Sequence, residues 1–391
     1  MHPLSRTVWT LGFVSLFMDI SSEMIHALLP VFLTTTLGAS VALVGLIDGV
    51  AESTASISKV FSGYLSDRIG RRKPLILAGY ALGALTKPLF AIAGSPSIVL
   101  GARFADRIGK GLRGAPRDAL LADVTPIDVR GRAYGLRQAM DTAGAVIGPL
   151  FAIGLMALFA ENFRAVFWVT VIPALIAVAL VLFGVEEKAA SHHGPSRKAP
   201  IAFRDLGRLD RAFWSVVVIG VVLTFARFSE AFLILKAHAE GLPATLAPAV
   251  LVAMNVVYSL GAYPAGVFAD RTSPRTLLLL GIAALVVADL LLGFGSGLAS
   301  VFAGVGLWGA HMALTQGLIA KLVAERTPSN LIGSAFGLYN LATGLALLAA
   351  SLVAGVLWNR FGPGAAFAAG GAFAVAAAAL VHALGPARMA Q

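Results

Sequence analysis

The chain has 391 residues, 58% of them hydrophobic and only 13% charged. Soluble domains carry about 25% charged residues, and a mean hydropathy of +0.84 excludes a freely dispersed globular protein. The formal net charge of +10 is explained by basic loops facing anionic lipid, so no nucleic-acid partner is expected, and the absence of cysteine excludes disulfides and thiolate metal sites.

In hydrocarbon the backbone must satisfy its own hydrogen bonds, which leaves helices or a closed barrel. The apolar runs are about 20 to 25 residues long, the length of a membrane helix rather than of a barrel strand. The sequence therefore predicts an all-α integral membrane protein. Met1 to Arg6 leads into a run too long for a signal-peptide core and lacking a small-x-small cleavage site, so it reads as an uncleaved first helix. Twelve spans are expected, at roughly 8–33, 41–63, 74–94, 97–119, 133–158, 163–184, 211–236, 244–268, 276–294, 298–321, 334–358 and 363–386. With a cytoplasmic N-terminus, the inner loops hold nearly all of the loop Lys and Arg, leaving Arg164, Lys236 and Arg360 outside. This bias places both termini in the cytoplasm.

Charges inside such spans cost about 2.5 to 3.5 kcal/mol each on insertion scales, so they mark function by default. In the first span Asp19, Glu23 and His26 fall within about 60° of one another on a helical wheel, and Asp48, Glu52 and Lys59 do the same in the second. Arg103, Asp106, Arg107 and Lys110 share one face of the fourth. Arg137 and Asp141 form an i,i+4 pair in the fifth. The second half of the chain is poorer, with Arg227, Glu230, Asp289 and His311 as its candidates. Proton coupling is accordingly expected in the first half, on a carboxylate whose burial favours the neutral form until a nearby arginine re-pairs. Permanent structural ion pairs are the alternative for every one of these groups. Met18 and Met24 fall off the acidic face of the first span, and His192 with His193 is only a pair in a polar stretch, so no metal site is assigned.

Between the second and third spans lies Gly63-Tyr64-Leu65-Ser66-Asp67-Arg68-Ile69-Gly70-Arg71-Arg72-Lys73-Pro74, echoed by Gly266 through Asp270-Arg271. Placed where helix ends meet head groups, Asp67 and the basic cluster can make contacts in one conformation that break in another. Setting topology is their alternative role. The fifth span carries Gly135, Gly144 and Gly148-Pro149, which permit close helix approach and a kink, or serve packing alone. Glu186 to Asp210 is polar and without apolar periodicity, a linker between halves. Thr125-Pro126 followed by Gly131, Ala133, Gly135 and Leu136 recurs 202 residues later as Thr327-Pro328, Gly333, Ala335, Gly337 and Leu338. The expected domains are thus a six-helix bundle at 1–185, a cytoplasmic linker at 186–210 and a second, pseudo-symmetric six-helix bundle at 211–391, an arrangement suited to alternating access.

On these residues the chain resembles the major facilitator superfamily. The loop from Gly63 to Lys73 is similar to that family's signature of a glycine, three residues, Asp-Arg, a glycine and a basic cluster. Arg107 with Gly111 resembles a fourth-helix pattern, and the resemblance implies that Arg107 is the switch partner of the titrating carboxylate. Gly135, Gly144 and Gly148-Pro149 resemble the fifth-helix antiporter motif, although Ala152-Ile153 stands where the family carries a glycine pair. The resemblance also implies a monomer.

The leading functional expectation is a secondary transporter in the cell (inner or plasma) membrane that exports a small polar or amphipathic solute in exchange for protons. Proton symport or uniport for uptake and export of a divalent metal are the alternatives; a non-transporting sensor or membrane enzyme comes last. No enzyme activity and no cofactor are expected, since Gly109-Lys110-Gly111-Leu112-Arg113-Gly114 matches GxGxxG only inside a membrane helix, and no GxxxxGK[ST] occurs. The partners are the solute, protons and the lipid bilayer.

Overall fold

A computed structural model describes residues 4–69, 71–126, 129–187, 209–328 and 331–383. These residues form twelve helical segments and no strand. They are α1 (Arg6–Val31), α2 (Val41–Ile69), α3 (Lys73–Ile92), α4 (Pro96–Asp123), α5 (Arg130–Leu158) and α6 (Phe163–Gly184, interrupted at Thr170). They continue with α7 (Arg211–Ala239, interrupted at 227–230), α8 (Ala249–Arg271), α9 (Pro274–Phe294), α10 (Gly297–Glu325), α11 (Ile332–Phe361) and α12 (Pro363–Ala383).

Eleven of the helices are long and apolar enough to cross a membrane. α4 is missing from that set, and it runs to Asp123 rather than to about residue 119. The reason is its charge: Arg103, Asp106, Arg107, Lys110, Arg113, Arg117 and Asp118 lie along it, and charges of this density require interior partners. Helix ends follow local chemistry. Asn162 and Asp210 accept hydrogen bonds from Ala165 N and Phe213 N at 3.1 and 2.8 Å, capping α6 and α7. Pro74, Pro96 and Pro274 occupy first-turn positions, where a missing N–H costs nothing. Gly362, at φ +84°, ends α11 and lets Pro363 begin α12 at once. After Pro30, α1 widens into a π turn at Phe32–Thr36, the relaxation expected where a proline removes a helical donor.

The residues group into two compact units, one of 1–32 and 54–200, the other of 33–53 and 201–391. The first half of α2 therefore keeps company with the second unit, whereas the sequence places all of α2 with the first. Small residues explain this packing: a Cβ on Gly49 would meet Leu348 Cα at 3.0 Å, and one on Gly355 would meet Ala42 Cα at 2.7 Å.

Each unit is built on the same set of helix pairs. In the first, α1 packs on α5 and α6, and α3 on α4 and α6; in the second, α7 packs on α11 and α12, and α9 on α10 and α12. Adding six to each helix number converts one set into the other. The crossings of α2 with α4 and of α8 with α10 also correspond. Gly111 lies against the Ala55 carbonyl and Ser58, and Gly309 against the Met254 carbonyl and Val257. The duplication seen in the Thr-Pro segments is thus repeated in the packing.

Candidate functional site

Two charged clusters occupy the first unit. In one, Lys87 of α3 and Asp106 of α4 form an ion pair at 2.9 Å, both nearly inaccessible. Lys87 Nζ also donates to Ser22 Oγ of α1 at 3.0 Å. Arg107 Nε stands 3.9 Å from the second oxygen of Asp106, and Thr86 Oγ1 is 3.5 Å from the first while donating to the Gly83 carbonyl. Arg103 and Arg107 are each 1% exposed. Desolvated charges persist only when paired and hydrogen-bonded, and this network joins α1, α3 and α4.

The second cluster lies further along α4. Arg117 reaches Asp118 at 3.3 Å and Asp141 at 3.7 Å, and donates to Ser15 Oγ at 2.7 Å and Tyr80 Oη at 3.4 Å. Arg137 binds Asp118 at 3.3 Å and Asp141 at 3.1 Å. Arg113 lies over the Tyr80 ring, 4.6 Å from its centroid, a cation–π contact strengthened by desolvation. The expected Arg137–Asp141 pair is therefore one edge of a four-membered ring of charge.

Asp19 and Glu23 lie where α1 crosses α5. A Cβ on Gly144 would stand 2.8 Å from Asp19 Cβ, and one on Gly148 would stand 3.0 Å from Glu23 Cβ and 2.9 Å from the Ile20 carbonyl. These two glycines let α5 seat directly against the acidic face of α1, with Pro149 beside them. Gly135 has open space around it and takes no part in the crossing. Glu23 meets His26 Nδ1 at 3.3 Å. Asp19 is half-buried, with no hydrogen bond or ion pair among the described residues. Lys110, on the face of Arg103 and Arg107, is exposed and acts on the carboxylates of Asp19 and Glu23. A long amphipathic side chain can pack its stem and keep its ammonium in solvent.

The loop between α2 and α3 is tied down by its basic residues. Arg72 Nε pairs with Asp123 at 2.5 Å, and the backbone N–H groups of Arg72 and Lys73 donate to the carboxylate of Glu187 at 2.5 and 3.2 Å. Lys73 Nζ donates to the carbonyls of Leu182 and Val185 at 3.0 and 2.7 Å, closing off the end of α6. Gly63 faces Ala115 of α4, and Arg71 is exposed. Gly70 and the side chains of Asp67, Arg68, Asp270 and Arg271 lie outside the described residues, as do His192 and His193; Gly266 has open space around it.

In the second unit Asp48 is buried and accepts a hydrogen bond from Ser229 Oγ at 2.6 Å; Glu52, one turn on, is half-buried. Arg227 stands where α7 leaves helical conformation, at φ −117° and ψ 70°. It lines a cavity of about 250 Å³ with Thr224, Gln316, Tyr339, Asn340 and Thr343. Glu230 follows within the same interruption. His311 is buried, its Nδ1 2.8 Å from the Gly281 carbonyl. Among the described residues no group of three His, Asp or Glu could hold a metal ion.

Sequence reasoning missed Lys87, Arg113, Arg117 and Asp118. Lys87 is a lone cation within an apolar span, the same signal that flagged Asp19. Arg113 and Arg117 lie within the expected fourth span, 97–119, and continue the helical periodicity of Arg103 and Arg107.

Helices that cross the membrane, built twice on one pattern and lined by buried charge, define a membrane transporter. The chain belongs to the Major Facilitator Superfamily, whose family profile matches residues 11–254 and 233–389. Similar proteins include the MFS-type transporter MJ1317 of Methanocaldococcus jannaschii, 29% identical over 363 residues covering 91% of this chain and 89% of that one. The inner membrane transport protein YajR of Escherichia coli is 25% identical over 382 residues, covering 93% and 80%. The nucleoside transporter NupG, in the crystal structure of a point mutant, superposes with a TM-score of 0.80 at 13% identity over 96% of this chain and 98% of that one. The protein is thus a multi-pass secondary transporter of a small molecule, and not an enzyme.

Proposed function

We propose that the protein exports a small polar or amphipathic solute in exchange for protons, and that Asp19 carries the exchanged proton. The observation behind this is the α1–α5 crossing, where Asp19 is packed against Gly144 with no hydrogen bond or ion pair among the described residues. A carboxyl held in partial burial between two helices gains or loses a proton when the helices shift. The cations that act on Asp19 are Lys110 and Arg113 of α4, so a change in their distance to Asp19 acts as the switch. Similarity to part of the multidrug resistance protein MdtH of Edwardsiella ictaluri, 34% identical over 132 residues, supports export over uptake.

In this reading residues 1–185 and 211–391 are the two rocking halves, joined by the linker at 186–210. The protein acts as a monomer in the inner membrane with both termini in the cytoplasm, and the α2–α3 loop, from Gly63 to Lys73, gates the cytoplasmic side.

The test uses proteoliposomes with an interior pH dye, an imposed proton gradient and a panel of antibiotics, amino acids, organic anions and divalent metals. Substrate-dependent proton movement that disappears in Asp19→Asn is the expected result. Transport of a labelled compound with no accompanying proton movement would refute the coupling.

A further inference from the structure

Asp289 of α9 is 1% exposed, and neither of its carboxylate oxygens has a hydrogen-bond partner. No ion pair reaches it among the described residues. Other interior acids of the chain are differently placed: Asp106 has Lys87, Asp48 has Ser229, and Asp141 has two arginines.

The surroundings are specific. A Cβ placed on Gly370 of α12 would lie 3.1 Å from Asp289 Oδ2, 3.1 Å from the Ala226 carbonyl oxygen and 3.1 Å from the Phe228 ring edge. Gly371 brings the next residue of α12 near the same side chain, 3.7 Å from its Cβ and 3.9 Å from Oδ2 by the same construction. Ala226 is the last residue of the first half of α7, and Arg227 then leaves helical conformation, so carbonyls at this end lose their usual donors four residues on. The gap left by a glycine is therefore faced by an unpartnered carboxyl and a carbonyl at a helix break.

An ionised carboxylate without partners in such a place costs several kcal/mol, and it escapes that cost by taking up a cation. A metal cation requires a shell of several oxygens. Of the three nearest atoms at the Gly370 gap, two are oxygens and the third is an aromatic edge, whereas a proton needs a single oxygen and turns the acid into a donor. The other charged groups on the elements around Asp289 are engaged or remote from it. Arg227 lines the cavity with Tyr339 and Asn340, and Glu230 follows it across the α7 interruption. His311 of α10 binds the Gly281 carbonyl, with Lys321 and Glu325 further along that helix. Arg275 at the start of α9 meets His382 at the end of α12, and Asp270 and Arg271 end α8.

We propose that Asp289, the Ala226 carbonyl and the gap at Gly370 form a proton-binding site in the second unit, which releases and regains its proton as the α7 interruption rearranges. Its part in transport rests on the proton-coupled reading above; its protonation does not.

Infrared difference spectroscopy of the purified full-length protein reads the two separately. The wild type should show a protonated-carboxyl stretch that shifts in deuterium oxide and disappears as the pH is raised, and Asp289→Asn should lack that band. Asp289→Glu should retain a band at a displaced frequency, which keeps the test open if the asparagine variant fails to fold. Gly370→Ala, which fills the gap, should shift it. An unchanged carboxyl region in Asp289→Asn would overturn the proposal. So would a band lost on adding sodium at constant pH, which would make the site a sodium site, or one that survives alkaline titration, which would make Asp289 a fixed structural acid. Asp19→Asn should leave the Asp289 band in place, so failure of the Asp19 reading is seen in the transport assay alone.

Discussion

Replacing Lys87 with methionine removes the cationic half of the buried pair with Asp106 while roughly conserving side-chain volume. Lys87 Nζ makes two contacts, at 2.9 Å to Asp106 and 3.0 Å to Ser22. Breaking a buried pair by deleting one partner costs about 3–5 kcal/mol. Lys87→Met should fall at the lower end, about 3 kcal/mol, because Arg107 Nε remains 3.9 Å from the other Asp106 oxygen. Asp106→Asn should cost more, about 4–5 kcal/mol, because it leaves Lys87 and Arg107 facing a neutral amide. In the double variant the Asp106 amide no longer faces an ammonium, and the loss should fall short of the summed single losses by about 1.5–3 kcal/mol. Equilibrium unfolding in mixed detergent micelles measures all four corners of this cycle. Single losses that add to within about 0.5 kcal/mol would show that the two residues do not act as a unit and would sink the argument for an interior network.

Three further outcomes follow from named contacts. Gly144→Ala should destabilise by about 1–3 kcal/mol, since its new methyl meets Asp19 Cβ at 2.8 Å; Gly135→Ala, with open space around it, should unfold at the wild-type temperature or slightly above it, which a thermal melt will decide. Ser229→Ala leaves Asp48 without its 2.6 Å donor and should cost about 1–3 kcal/mol in the same unfolding assay, whereas Ser229→Thr should restore most of the loss. At the C-terminal end of α7, the Lys236 ammonium and the Gly297 N–H hold the Glu240 carboxyl below its ordinary value of 4.5. A lowered folded-state pKa gives stability that is complete above the ordinary value and lost as the pH falls through the lowered one. The melting-temperature gap between wild type and Glu240→Gln should therefore be open at neutral pH and close on acidification; a gap independent of pH would contradict the contact.

Much of the architecture was legible because hydrocarbon forces a simple code: runs of about 20 apolar residues must be helices. The repeat was legible for the same reason, since Thr125-Pro126 and Thr327-Pro328 punctuate equivalent helix ends. What the sequence concealed was partnership. A helical wheel shows that Arg103, Asp106 and Arg107 share a face, but not that Lys87 on another helix reaches Asp106 ahead of the arginine. Periodicity within one helix cannot report the rotation of its neighbour. The same limit placed Asp48, Glu52 and Lys59 on one stripe, although Asp48 is buried against Ser229 and Lys59 is exposed. Glycines fared better: Gly144 and Gly148 stood out by spacing, and they are the points where α5 meets α1.

The pairing of α1 with α5 also has a consequence in time. Some 125 residues separate Asp19 from the Gly144 that seats against it. At a synthesis rate of about 5–20 residues per second, α1 waits roughly 6 to 25 s in the nascent chain before its acidic face meets that glycine. During that interval its polar side must be sheltered by water, by head groups or by the insertion machinery. Because α7 awaits α11 in the same way, the delay is imposed twice on every chain, and the last helices to emerge are the ones that complete each bundle.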